Sequence, residues 1–249
     1  VDGVIEAKTA AVLEPYPDGG AGLPNWRPEA LQSAVVAADK AGLQVYLHAI
    51  GDRGVRMALD AHAAAAKTNG PRDRRGRIEH IETVSAADQP RFAALGVIAS
   101  MQPLHADPNQ NLLEVWEKNA GPDRASRGFG WATLEKLGAR LAFGSDWPVV
   151  TSDVRRGLYC AVTRKTREGT PAGGWHPEQA VTLDSALRHY TIDAAFASFE
   201  ERVKGSLTPG KLADLVVLED DIFKAPPETI LKTRVLLTLL GGKVVYKAD

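Results

Sequence analysis

The sequence predicts an α/β fold built on parallel strands, followed by a smaller β segment. Three observations predict it. First, short apolar stretches ending in an ionisable side chain recur: residues 43–52, 77–80 and 141–146 carry His48, His80 and Asp146 at their ends. Second, with His105 counted as the tip that follows residues 97–101, roughly 25 to 41 residues separate successive tip residues, enough for the helical crossover that parallel strands require. Third, beyond about Val203 the helical stretches give way to short alternating runs around turn formers. Groups at the C-terminal ends of strands suit a (β/α) barrel or an open parallel sheet equally.

Each element has its own signal. Residues 1–27 hold Pro15, Pro17, Gly19, Gly20, Gly22 and Pro24 and read as loop. Pro28 opens a helix to about Ala41 that Gly42 closes, with Leu31, Ala34, Val35 and Ala38 as its apolar stripe. A buried strand over 43–48 follows, with Leu43, Val45 and Leu47 on one face and Gln44, Tyr46 and His48 on the other. An alanine-rich helix spans about 53–67 and stops at Asn69-Gly70-Pro71. A strand over 77–80, a helix over 86–95 capped by Gly96, and a strand over 97–101 come next. Residues 106–127 read as a long loop with some helix. A helix over 131–137 ends at Gly138, and a strand covers 140–143. Residues 153–164 read as helix and 168–179 as a Gly/Pro-rich loop. Thr182 caps a single helix from 183 to about 197, with Leu183, Leu187, Tyr190 and Ala194 on one face. Residues 213–218 read as a strand and 236–246 as a hairpin around Gly241-Gly242. The expected division is residues 1–203 and 204–249.

Composition narrows the function. The 249 residues are 44% hydrophobic and 24% charged, with a net charge of −1, so neither nucleic acid nor an anionic membrane is an expected partner. Cys160 is the one cysteine, which excludes an intrachain disulfide and is compatible with a reducing, cytoplasmic compartment. Nucleotide loops, Gly-x-Ser-x-Gly, His-Glu-x-x-His and cysteine clusters are absent. The chain starts at Val1 inside a strand-to-loop transition, which reads as a fragment.

Two imidazoles and a carboxylate on separate strand tips suit an open catalytic metal site, where water takes the remaining position. His48, His80 and Asp146 are the expected ligands. Each also has a plainly structural reading. His48 can be a hydrogen-bonded strand end, His80 can pair with Glu79 or Glu82, and Asp146 can cap a helix. His105 either anchors a loop through Asp107 or lines a substrate pocket. His62 and His189 lie mid-helix and His176 lies beside Pro177, so all three are expected to be structural.

In combination these stretches resemble a known family. His48-Ala-Ile-Gly-Asp52, Arg77-Ile-Glu-His80, Met101-Gln-Pro-Leu-His105 and Phe143-Gly-Ser-Asp-Trp-Pro148 look like strands five to eight of the amidohydrolase superfamily barrel. Leu187-Arg-His-Tyr-Thr191 and Gly205-Ser-Leu-Thr-Pro-Gly-Lys-Leu-Ala-Asp214 continue the likeness, which is nearest to the amidohydrolase family 3 type of metal-dependent hydrolase. The resemblance implies a partial (β/α)8 TIM-like barrel with a small C-terminal β-sandwich piece. It implies a divalent metal, zinc above all, held by His48, His80 and Asp146, with His105 on the substrate side and Asp214 structural. It implies hydrolysis of a non-peptide carbon–nitrogen bond in a small molecule by metal-activated water, with Asp146 as proton shuttle. The family's His-x-His pair and its strand-four lysine have no counterpart, and Lys8 falls too late to replace the latter. The chain is therefore expected to be the second half of such an enzyme, or a catalytically inactive fragment or paralogue that keeps the fold. An exposed sheet edge predicts a homo-oligomer.

Overall fold

The computed structural model describes all residues, Val1–Asp249. The chain forms two compact units: Val1–Met101 with Pro108–Leu141, and Gln102–Asp107 with Ala142–Asp249.

The first unit opens with residues 1–27, which hold no helix or strand yet bury Ile5, Ala10, Ala11, Val12 and Tyr16. Helix α1 (Pro28–Lys40) starts on its proline as expected. Strand β1 (Tyr46–Ala49) is shorter than the sequence predicts because pairing begins at Tyr46 opposite Arg77. Nor is the whole stretch buried: Leu43 is 60% and Tyr46 57% exposed, since β1 is an outer strand of its sheet. Helix α2 (Asp52–Asn69) packs on α1, where Leu31, Val35, Met57, Ala61 and Ala65 form an apolar cluster. Strand β2 (Arg77–His80) runs parallel to β1.

Helix α3 (Gln89–Leu95) begins later than expected. Residues 85–88 form a turn in which the Asp88 carboxylate accepts from Ser85, Arg56 and Arg91. Gly96 closes the helix in the left-handed conformation, φ 63°, which a residue without Cβ adopts freely. Strand β3 (Ile98–Met101) is parallel to β2.

Residues 106–127 are more helical than expected: a π-turn over Leu112–Trp116 runs into α4 (Glu117–Ala125), which breaks at Gly121. Helix α5 (Trp131–Lys136) precedes strand β4 (Leu141–Phe143), and the sheet order is β1-β2-β3-β4. Trp116, Trp131, Phe92, Ile78, Ile98 and Leu134 are all but fully buried. Each such side chain contributes about 1.5–3 kcal/mol through burial.

In the second unit Asp153 caps α6 (Val154–Thr163) through Arg155 N, and α6 buries Leu158, Tyr159, Cys160 and Ala161. The expected single helix after Thr182 is two, α7 (Leu183–Tyr190) and α8 (Ile192–Ala197). Thr191 breaks it, at φ −122° and ψ −90°, with its hydroxyl donating to Leu187 O at 2.6 Å. A β-branched residue whose hydroxyl bonds a carbonyl one turn back is prone to bend a helix. Strand β5 (Leu215–Leu218), helix α9 (Thr229–Lys232) and the hairpin of β6 (Val235–Leu240) and β7 (Lys243–Lys247) complete the unit. The antiparallel sheet order is β5-β6-β7. Gly241 and Gly242, φ 56° and 79°, make the tight turn as the sequence predicts.

Candidate active site

Parallel pairing puts the tips of β1 and β2 side by side, with His48 opposite Glu79 and Ala49 opposite His80. Strand alternation alone would send His48 and His80 to opposite faces. His80 leaves the pleat at φ 77° and Ile81 follows at φ 52°. With the backbone turned there, the His80 ring meets that of His48 edge-on, centroids 4.7 Å apart and planes at 68°. A left-handed β-branched residue is costly, and such strain concentrates at functional positions.

Polar groups surround this pair. Asp2, 4% exposed, lies with Oδ1 3.8 Å from His48 Nδ1. Burial pushes the Asp2 carboxyl above its ordinary range, while N–H donors from Ile50, Gly51 and Ala11 pull it back. Burial, and then the neighbouring His80, hold His48 below the usual imidazole range, which favours the neutral ring a metal ligand needs. Glu82, two residues past His80, is buried and pushed up to about 8 by desolvation and then by Glu6. It accepts a hydrogen bond from Trp116 Nε1 at 2.6 Å.

The second unit holds the other two predicted residues. His105 sits in a 3-10 turn, Pro103–Ala106, and its N–H donates to Gln102 O. Asp146 follows β4 in the left-handed region at φ 57°, with its carbonyl accepting from Val149 N at 2.8 Å. His105 Nε2 and Asp146 Oδ2 are 3.8 Å apart. The sequence grouped His48, His80 and Asp146 and set His105 apart. Within the units, the structure brings His48 to His80 and Asp146 to His105. The remaining histidines have local partners: His62 lies 3.4 Å from Arg77 O, His176 beside Glu178, and His189 between Ser185 and Asp193. Asp2 is the site residue that sequence reasoning missed; its one signal is a lone acid in an apolar, glycine-bearing start, Val1-Asp-Gly-Val-Ile5.

Imidazoles and a carboxylate at the ends of parallel strands are side chains able to hold a divalent metal. The amidohydrolase family model matches residues 1–246, and the chain belongs to that family. It is similar to protein LONG AFTER FAR-RED 3 of Arabidopsis thaliana, 37% identical over 249 residues, 99% of this chain and 42% of that protein. It is also 30% identical over 213 residues to the N-substituted formamide deformylase of Arthrobacter pascens, covering 85% of this chain and 38% of the relative. Among solved structures it matches an uncharacterized metal-dependent hydrolase from Pyrococcus horikoshii at TM-score 0.76 and 28% identity, over 91% of this chain and 44% of that one. The chain thus spans less than half the length of these relatives.

Proposed function

We propose that the chain contributes to a metal-dependent hydrolase of non-peptide carbon–nitrogen bonds, with His48, His80 and Asp146 as ligands of a divalent ion and His105 beside the substrate. The observation that carries this reading is the His48–His80 ring contact at adjacent strand tips, with burial holding His48 below the usual imidazole range. Imidazole and carboxylate donors without thiolate fit zinc and its neighbours. Family membership and the metal-dependent hydrolase neighbour support the same reading. On it, the parallel strands are part of a (β/α) barrel and the β5-β6-β7 sheet is part of a β-sandwich.

A bound divalent ion would supply Lewis acidity and lower the pKa of water from about 15.7 towards ~7. The protein's own groups do the rest. Asp146 accepts the water proton as the oxygen–carbon bond forms, then delivers it to the nitrogen as the carbon–nitrogen bond breaks. His105, 3.8 Å from that carboxylate, holds its orientation and faces the substrate.

The substrate is a small molecule. N-substituted formamides, the class in the name of the Arthrobacter pascens relative, are the first probes. The exposed Val216, Val217, Val244, Val245 and Tyr246 of the outer sheet support self-association. Monomeric sedimentation at micromolar concentration would count against it. No helix is long and apolar enough to cross a membrane. Cys160 is a free thiol, which fits the reducing, cytoplasmic location we propose. The deciding test is elemental analysis together with turnover of a formamide panel. Near-stoichiometric divalent metal, lost in a His48→Ala/His80→Ala double variant, and turnover lost in Asp146→Asn are expected. Metal at background would overturn the reading.

A further inference from the structure

Asp2 belongs to none of the strand-tip motifs, yet its buried carboxylate lies 3.8 Å from His48 Nδ1. Its Oδ2 accepts from Ala11 N at 2.8 Å and Gly51 N at 2.9 Å, and its Oδ1 accepts from Ile50 N at 3.0 Å. Two of these donors belong to the turn directly after β1, so the carboxylate grips the backbone that carries His48. The same turn is sewn to residues 11–13 from the other side. Ala11 O accepts from Arg53 N and Gly54 N, and Leu13 N donates to Asp52 Oδ1 at 2.8 Å. The fit is close enough to demand glycine. A Cβ on Gly54 would lie 2.5 Å from Asp2 Oδ2, and one on Gly51 would overlap Ala11 O.

We propose that Asp2 is a positioning residue for His48. Clamped by three N–H donors, its carboxylate is a fixed negative charge 3.8 Å from Nδ1. That distance is too long for a direct hydrogen bond. The charge nonetheless favours the tautomer with hydrogen on Nδ1 and leaves the Nε2 lone pair free as a donor. A carboxylate behind a ligating imidazole sets its ring orientation and donor strength in this way. The role in metal binding rests on His48 being a ligand; the role in setting the tautomer does not.

The test separates the two. Imidazole 15N shifts of His48 are recorded on the metal-free full chain at pH 7.5, and zinc affinity is measured by competition with a fluorescent chelator. Wild type is expected to show the Nδ1–H tautomer. Asp2→Asn is expected to shift the population towards Nε2–H and weaken zinc about 10- to 100-fold. Ile98→Val, a mild core change in the same unit, is expected to alter neither readout, so a general loss of stability does not mimic the result. An Nε2–H tautomer in wild type overturns the proposal without any variant, even if Asp2→Asn does not fold. Unchanged tautomer and affinity in folded Asp2→Asn overturn it as well. If wild type binds no zinc, the proposed metal centre fails while the tautomer still decides the role of Asp2.

Discussion

His62 provides a quantitative check on the first unit. It lies on α2, 5% exposed, with Nε2 3.4 Å from Arg77 O and its ring against Gly76, where a Cβ would fall 2.5 Å from Cε1. Burial lowers its pKa from 6.5 to about 4; the Arg77 carbonyl and Asp39 resist that fall and Arg74 adds to it. The folded pKa lies below the unfolded one, so the unfolded chain binds the extra proton as pH drops. His62 therefore costs stability on acidification, beginning near 6.5 and levelling below about 4. Linkage gives a loss of about 2 kcal/mol between pH 7.5 and 5. Glu82 works the other way. Its pKa is raised to about 8, so its contribution is fully present below the ordinary carboxylate range and fades as pH rises through 8. Acidification thus strengthens the fold through Glu82 while weakening it through His62, and the wild-type profile alone cannot isolate either group. The difference between wild type and His62→Gln can. Denaturant midpoints of the first unit, followed by tryptophan fluorescence at pH 7.5 and 5, should show that difference shrink by about 2 kcal/mol in favour of the variant on going to pH 5. A difference independent of pH, or an NMR titration placing His62 near 6.5, would refute the burial argument.

Three further outcomes follow from the packing. Trp131→Ala, which empties a fully buried site, should destabilise by about 3–5 kcal/mol in urea unfolding. Gly54→Ala should cost about 1–3 kcal/mol by overpacking and lower the melting temperature, because the methyl group meets a clamped carboxylate and not a free surface. Thr83→Val removes the hydroxyl that donates to Ile50 O at 3.0 Å; the Thr83 N–H keeps that carbonyl satisfied, so a loss of only about 0.5–1.5 kcal/mol is expected.

The parts of the fold legible in the sequence are those with local causes. Pro28, Thr182 and the Gly241-Gly242 pair each act within a few residues, and each element forms where its signal places it. Parallel pairing was readable from the distance between strand tips. The break at Thr191 was not, because the Leu183–Ala197 stripe is continuous and no glycine or proline marks it. Nor was the burial of residues 1–27. Turn formers predict irregular backbone but are silent on whether Ile5 and Val12 pack inward. The candidate side chains were legible as strand-tip ionisable groups. Their partners were not, since the His48–His80 contact depends on a left-handed turn that a histidine and an isoleucine give no reason to expect.

That turn links the irregular start of the chain to the histidine pair. Positive φ at His80 and Ile81 costs on the order of 1–3 kcal/mol per residue and persists only where surrounding bonds over-determine it. Here Ile81 N donates to Ala49 O, while Thr83 N and its hydroxyl both reach Ile50 O, all at 3.0 Å. The strained end of β2 is therefore tied to the end of β1, and Ile81 is fully buried. The end of β1 is in turn gripped by Asp2 through Ile50 and Gly51. Residues far apart in the chain thus share one hydrogen-bonded frame, with Ile50 as its common member. A change at Asp2 should reach His80 as well as His48, whereas a change on the α1–α2 apolar cluster should reach neither.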